Sequence, residues 1–168
     1  MGSFSKDIST MDDLFVQTLR DIYYAEQEIL KALPAMIEKA TNPQLRFGFE
    51  QHHAETFQHF RRVEQVFEMH GIEPQIINSP AIDGIIKEAD EIADEVDNKE
   101  VLDAALIAAA QAVEHYEIAR YGALVSWAKQ LGRSDCAGML HRNLEEEKAA
   151  DQKLTQIAES KVNVEAAQ

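Results

Sequence analysis

The hydrophobic residues of this chain recur every three or four positions over long stretches, which is the spacing of one face of an α-helix. Glycine and proline are rare, at 7 and 4 in 168 residues, and no long run of alternating polar and apolar residues indicates a strand. Because the helix breakers lie far apart, the pattern predicts long helices over 11–40, 43–70, 99–131 and 134–160, and a shorter one over 80–97.

Capping residues set the expected helix ends. Thr10 can cap the first helix, because a threonine oxygen accepts a hydrogen bond from a backbone N–H of the first turn. Gly71 is expected to end the helix over 43–70, and Gly132 the helix over 99–131, since glycine adopts the left-handed backbone that terminates many helices. Ser134 or Asp135 is expected to cap the last helix.

The lengths of the connections predict the topology. About two to four residues join the first two helices and the last two, which forces each pair into an antiparallel hairpin. One long crossover joins the hairpins, and its Ser79-Pro80 pair starts the short extra helix. The sequence therefore predicts an all-α, ferritin-like four-helix bundle over residues 11–160. Residues 1–10 are expected to form a flexible tail and residues 161–168 a frayed one.

Composition narrows the classes of partner. The net charge of −14 argues against nucleic acid and anionic membranes, both of which attract basic surfaces. Cys136 is the only cysteine, so neither an intrachain disulfide nor a cysteine metal cluster can form. The sequence contains neither an apolar run of about 20 residues nor the apolar core of a signal peptide. We therefore expect a cytoplasmic protein without a membrane segment.

Charged side chains interrupt the apolar stripe of each long helix. Successive residues of a helix turn by about 100°, so position alone indicates which side chains face the core. His59 lies near one of these stripes but is left outside the predicted ligand set. The predicted ligands, on or beside the four stripes, are Glu26, His52, Glu55, Glu114, Glu117, Glu147 and Asp151. A buried carboxylate is costly unless it is paired, protonated or bound to a metal.

These side chains are also expected at one level of the bundle. Glu117 and Glu147 each lie about 14 residues, or roughly 20 Å of helix, from the last interhelical turn. Glu26 lies about as far from the first turn. A mid-bundle cluster of carboxylates with one or two imidazoles suits iron or manganese, and bridging carboxylates hold two ions together. The alternative is a buried polar network completed by Arg120, Lys148 or tyrosine hydroxyls.

Four stretches carry a resemblance to a known family: residues 19–26, His52 with Thr56, residues 112–117 with Tyr121, and residues 146–148 with Asp151. Over nearly its whole length the chain resembles the YciF/YciE-type family of bacterial ferritin-like proteins. The resemblance implies a cytosolic, helical and often dimeric protein associated with stress responses. The wider ferritin-like superfamily implies a di-iron or di-manganese site and chemistry on oxygen or peroxide.

The chain departs from the superfamily signature, which is Glu-x-x-His on the second and fourth bundle helices. Ala150 stands three residues after Glu147, where the last helix would carry histidine. On the second helix Glu50 and His53 have the right spacing but face away from the stripe, while the core pair of His52 and residue 55 is reversed. The ligand set on these two helices therefore stays open.

The expected function is that of a di-iron carboxylate protein of the stress response, with two iron ions per chain, or manganese in their place. It is expected to react with oxygen or hydrogen peroxide and to form a homodimer, and no catalytic residue is assigned. The alternative is a non-catalytic structural or binding dimer with a vestigial or structural metal site. Iron storage would require a hollow shell that nothing in the sequence indicates. Hydrolysis would require a nucleophilic triad or a phosphate loop, and neither occurs.

Overall fold

The computed structural model of the protein describes residues 8–168, and within that range it contains helices and no strands. Five helices account for most of it: α1 Met11–Lys39, α2 Pro43–His70, α3 Pro80–Glu95, α4 Lys99–Gln130 and α5 Ser134–Ile157. Each lies within about three residues of its predicted bounds. The prediction of an all-α bundle is confirmed.

Each long helix packs against two others, which closes a four-helix bundle. Helices α1 and α2 form one antiparallel hairpin and α4 and α5 the other, while α2 also packs on α5 and α1 on α4. Helix α3 lies in the crossover between the hairpins and packs on α4 and, less extensively, on α1. This is the predicted topology, with the extra helix covering one outer face of the bundle.

Local interactions fix the helix ends. Thr10 and Asp13 form a capping box at the start of α1. Gly71 and Gly132 follow α2 and α4 with φ angles of 76° and 72°, in the left-handed region that favours glycine. Buried Asp103 of α4 accepts backbone hydrogen bonds from the turn between α1 and α2, which ties the two hairpins together at that end.

The predicted cap of α5 is wrong by one residue. Arg133 is the capping residue, and Ser134 already belongs to the helix. The reason is the tight end of α4, where the backbone N–H of Arg133 donates to the carbonyl of Ala128 at 2.8 Å. That bond holds Arg133 beside the glycine turn. The guanidinium nitrogen of Arg133 lies 3.0 Å from a carboxylate oxygen of Asp135.

The C-terminal segment is helical where a frayed tail was expected. A π-helical turn, Ala158–Val162, follows α5 and leads into the short helix α6, Asn163–Ala166. Val162 is buried and packs with apolar side chains of α4 and α5, which gives the segment a place to dock. Of the predicted N-terminal tail, residues 1–7 lie outside the described range, and the three residues before α1 are not helical.

The apolar core divides into two clusters. One lies toward the turn between α4 and α5 and includes Phe15, Phe67 and Leu140. The other lies toward the turn between α1 and α2 and includes Phe49 and Leu106. On α2 and α5 the stretch between the clusters carries buried polar side chains instead. None of the helices between residues 8 and 168 combines the length and apolar character needed to cross a bilayer.

Candidate metal centre

Six buried side chains from four helices meet at the middle of the bundle. His52, Glu114, Glu117 and Glu147 form one group, in which one ligand atom from each residue lies within 4.8 Å of the others. Glu26, His59 and Glu147 form a second group by the same measure. Glu147 therefore belongs to both groups. All six side chains lie in the interior.

The imidazole nitrogens that face the cluster lie close to carboxylate oxygens without forming hydrogen bonds to them. His52 Nε2 is 2.9 Å from Glu114 Oε1 and 3.9 Å from Glu147 Oε2. His59 Nδ1 is 2.7 Å from Glu147 Oε1 and 3.7 Å from Glu26 Oε1. Neither Nε2 of His52 nor Nδ1 of His59 has a hydrogen-bond partner with acceptable geometry. Nitrogen and oxygen atoms therefore converge on shared points, as ligands of a common cation do.

The same side chains carry most of the buried polar atoms that lack a hydrogen-bond partner in the described part of the chain. Ten buried side-chain nitrogen and oxygen atoms within residues 8–168 have no hydrogen-bond partner, and nine of them belong to the two groups. The tenth is Nε of Arg20. Buried polar atoms are nearly always hydrogen-bonded in native proteins, so a concentration at one point calls for a missing partner. A donor set of carboxylate oxygens and imidazole nitrogens fits a divalent transition-metal ion.

An outer set of residues holds the ring of His59. Its Nε2 lies 2.8 Å from Glu146 Oε2, and Arg62 donates to the same carboxylate oxygen at 2.6 Å. Arg62 also donates to the side-chain oxygen of Asn143 at 2.9 Å. The Glu146 carboxylate thus favours a proton on Nε2 and leaves Nδ1 free toward the cluster. Such carboxylate–histidine pairs orient metal-binding imidazoles in many proteins.

A second outer contact holds Glu26. The hydroxyl of Tyr121 donates to Oε1 of Glu26, which leaves Oε2 without a partner. Asn143 donates to the Tyr121 oxygen at 3.0 Å and to the backbone carbonyl of His59 at 3.2 Å. Asn143 therefore connects the supports of Glu26 and His59 in the second group.

Burial and crowding shift the protonation of the cluster. Burial raises the pKa of Glu26 to about 8, and burial together with neighbouring carboxylates raises the pKa of Glu117 and Glu147 well above the ordinary range. Burial alone would lower the pKa of His52, but the adjacent Glu114 carboxylate outweighs burial and raises it to about 10. Without a cation, the folded protein must therefore take up protons here.

The imidazole of His59 and the carboxyl of Glu114 shift in the opposite direction. Burial and the nearby His52 lower the pKa of His59 to about 4, so that this ring is neutral near pH 7. Burial would raise the pKa of Glu114, but His52 and the other neighbouring groups together outweigh burial and lower the pKa. A neutral imidazole and an ionised carboxylate are the forms that bind metal ions.

The structure brings together five of the seven predicted ligands and leaves two outside. Glu55 has a side chain that is 49% exposed, and its Oε2 lies 3.7 Å from the Nδ1 of His52, on the outer side of the ring. Asp151 accepts from Gln111 at 3.0 Å and lies 3.2 Å from Nε2 of His115. Neither belongs to the two groups.

The prediction omitted His59, which the structure buries completely. The signal for it was its position seven residues after His52. Two helical turns return a side chain to nearly the same face, with a drift of only about 20°. Tyr121 and Asn143 carry no comparable signal, because a tyrosine or an asparagine on an apolar stripe usually serves packing or capping.

Comparison with known proteins shows the family to which the chain belongs. The signature of DUF892, described as a domain of unknown function, matches residues 10–167. The chain belongs to the DUF892 family. It is 42% identical to protein YciF of Escherichia coli over 161 residues, which covers 95% of this chain and 97% of the relative. The resemblance to YciF-type proteins is therefore confirmed.

Solved structures of relatives have the same fold. The YcfI protein of Rhodopseudomonas palustris is 58% identical, with a TM-score of 0.90 over 93% of this chain and 99% of that one. The E. coli stress protein YciF is 42% identical, with a TM-score of 0.89 over the same shares. A protein of Xanthomonas campestris at 24% identity has a TM-score of 0.73 over 93% of this chain and 95% of that one, and shares the fold.

Proposed function

We propose that this protein binds two iron ions at mid-bundle and uses them in a reaction with oxygen or hydrogen peroxide. The observation that carries the proposal is a set of nine unpartnered buried atoms, all on the side chains of two groups that share Glu147. Carboxylate oxygens with one imidazole per group match the preferences of iron, and manganese would fit the same donors.

Each group supplies ligands for one ion. His52, Glu114 and Glu117 would hold the first ion, Glu26 and His59 the second, and Glu147 would bridge them. A pair of reduced iron ions supplies the electrons that protein side chains lack for reaction with oxygen or peroxide. A metal pair bridged by carboxylates inside a four-helix bundle is also a known construction of this architecture.

The remaining residues position the ligands and exclude water. Glu146 holds the Nε2 proton of His59, so that Nδ1 faces the ions. Tyr121 holds one oxygen of Glu26 and keeps a hydroxyl proton at that atom. The apolar clusters at both ends of the site surround it with low-polarity side chains along the bundle axis, which strengthens electrostatic interactions inside.

The biological setting follows from the relatives. A stress protein of E. coli is 42% identical over most of both chains, so we extend a stress-response role to this protein. The proposal includes a homodimer, a cytoplasmic location and a small oxidant as the reaction partner. The alternative is a structural metal clip without turnover, and the complete burial of Glu117 and Glu147 favours it.

The proposal is tested by the metal content of protein purified anaerobically without a histidine tag and loaded with ferrous iron. We expect about two iron ions per chain in the wild type and a loss of both in Glu147→Ala, because this residue belongs to both groups. Addition of hydrogen peroxide should then oxidise the bound iron faster than free ferrous iron, followed by absorbance.

The outcomes separate the two functions. Bound iron that is oxidised repeatedly after re-reduction supports the redox function. Bound metal with no reaction supports the structural clip. A folded wild type that binds neither ferrous iron nor manganese refutes both. Glu145→Ala is the matched control, since this exposed neighbour lies on the same helix and should retain the metal.

A further inference from the structure

A cavity of about 170 Å³ lies between the two apolar clusters and reaches the metal centre. Its walls come from all five helices, with α3 forming part of the outer wall. His52 and Glu114 line one end. Most of the other side chains around it are aliphatic or aromatic, such as Leu33, Phe49 and Leu106. The walls are therefore mostly apolar, and His52 and Glu114 are the buried polar side chains among them.

The helix backbones leave room for larger side chains in this space. Gly48 lines the cavity from the middle of α2, and a Cβ added there would meet only Ile157 within 4 Å, at an ordinary contact distance of 3.7 Å. Ala110 of α4 and Ala150 of α5 line other walls, each with only a methyl side chain. Larger residues at these positions would fill the space and gain van der Waals contacts, which voids forfeit.

The contents of such a cavity follow from its walls. Buried cavities without polar partners stay dry, and a cavity of about 150 Å³ accommodates a benzene-sized molecule. Here polar atoms occur at the His52 end, where both ring nitrogens are buried and unpartnered. A ligand that filled the apolar part could therefore meet one polar region at the metal centre.

Carboxylates outnumber the cationic side chains around the cavity, which disfavours an anion. The lining carboxylates are those of Glu55, Asp90, Glu114 and Glu146, and the lining cationic groups are two lysines and the imidazole of His52. Two lysines lie on the rim, but Lys39 pairs with Asp94 at 2.6 Å and Lys153 donates to a glutamine. A neutral ligand avoids repulsion from the carboxylates, whereas a free carboxylic acid would ionise and be disfavoured.

We propose that this cavity is a binding site for a small neutral apolar molecule of about six to eight carbons, whose single polar end faces His52 and Glu114. Binding in the cavity requires no metal. That the ligand lies beside reacting iron ions rests on the proposed function, and it would make such molecules candidate substrates.

The test measures binding of benzyl alcohol and benzoate, which have similar shapes and differ in charge. Dissociation constants are obtained by ligand-observed NMR on the full-length protein, both metal-free and loaded with iron. We expect benzyl alcohol to bind both forms, and benzoate to bind the metal-free form at least about tenfold more weakly. Gly48→Leu should weaken benzyl alcohol by at least about tenfold, because its side chain occupies the cavity.

A matched control and a second variant keep the result interpretable. Gly138→Leu makes the same change on an exposed face of α5, with nothing within 4 Å of the added Cβ, and should bind like the wild type. If Gly48→Leu does not fold, Ala110→Leu fills the cavity from α4. Iron content is measured for every variant, and Gly48→Leu should retain it.

Two results would overturn the inference. One is equal affinity for benzyl alcohol in the wild type and both cavity-filling variants, which would place the molecule elsewhere. The other is no binding of benzyl alcohol to wild-type protein in either form. Normal benzyl alcohol binding in a protein that refuses iron supports the cavity and refutes only the proposed metal chemistry.

Discussion

Replacing Glu147 by glutamine should stabilise the metal-free protein while abolishing its stabilisation by metal. Glu147 is fully buried, and its ligand atoms lie within 4.8 Å of those of Glu114 and Glu117 in one group and of Glu26 in the other. Without a cation these carboxylates repel one another, and the pKa of Glu147 is raised well above its ordinary value of 4.5 by burial and by these neighbours. Glutamine has nearly the same shape and no charge.

The expected gain follows from the cost of keeping this carboxyl protonated. A group that ionises in the unfolded chain near pH 4.5 and stays protonated when folded loses about 1.4 kcal/mol of stability per pH unit above that value. Because folding raises this pKa well above 4.5, glutamine removes a cost of more than one such pH unit. The amide still needs hydrogen-bond partners, so we expect the metal-free variant to gain at least about 1 kcal/mol at pH 8.

The measurement is urea unfolding followed by circular dichroism at pH 8, with chelator and with anaerobic ferrous iron. The wild type should gain about 2.7 kcal/mol for each of its two proposed iron sites when free iron is 100 times the dissociation constant, and Glu147→Gln should gain none. Glu145→Gln, on the exposed side of α5, should change stability by less than about 1 kcal/mol in both conditions. A metal-free Glu147→Gln protein less stable than the wild type would refute the reasoning, since the carboxylate would then be satisfied without a cation.

Three further predictions concern the support of the site, its protonation and the bundle. Glu146→Gln should weaken iron binding by about 10-fold to 100-fold in a chelator competition, because a neutral amide oxygen is a weaker acceptor than the carboxylate that orients His59. The stability of the metal-free protein should fall as pH rises from about 6.5 to 8, which urea midpoints across this range would check. The raised pKa values of Glu26 and His52 mean that the folded protein binds more protons than the unfolded chain in this range. His59, whose pKa is lowered, affects stability only below this range. Asp103→Asn should cost about 2 to 4 kcal/mol in urea unfolding and leave iron content unchanged, since it weakens buried hydrogen bonds to the turn between α1 and α2.

Much of the site was predictable because helix periodicity relates sequence position to direction. Glu26, Glu117 and Glu147 interrupt apolar stripes, and a residue on a stripe of a long helix has only the core to face. Counting from the turns then gave their common level, since each residue of a helix adds a fixed rise. The same reasoning reached Glu114 and His52.

Positions at the edge of a stripe were less certain, because neighbouring helices decide which edge is covered. Glu55 and Asp151 were expected beside the cluster, yet Glu55 is half exposed and Asp151 is engaged by Gln111 and His115. His59, four residues after Glu55 on α2, lies closer to the middle of the stripe, where packing of α2 against α5 covers it completely.

The sequence by itself determined the helices, their order, the two hairpins and the presence of acids in the core, because each follows from local spacing and short connections. Only the tertiary structure decided which acids meet, since Glu147 joins two groups through residues far apart in the chain. It also decided the supports of Glu26 and His59, through Tyr121 and Glu146, and the cavity beside them. Distances across a bundle depend on how all its helices pack at once, and no local pattern contains that information.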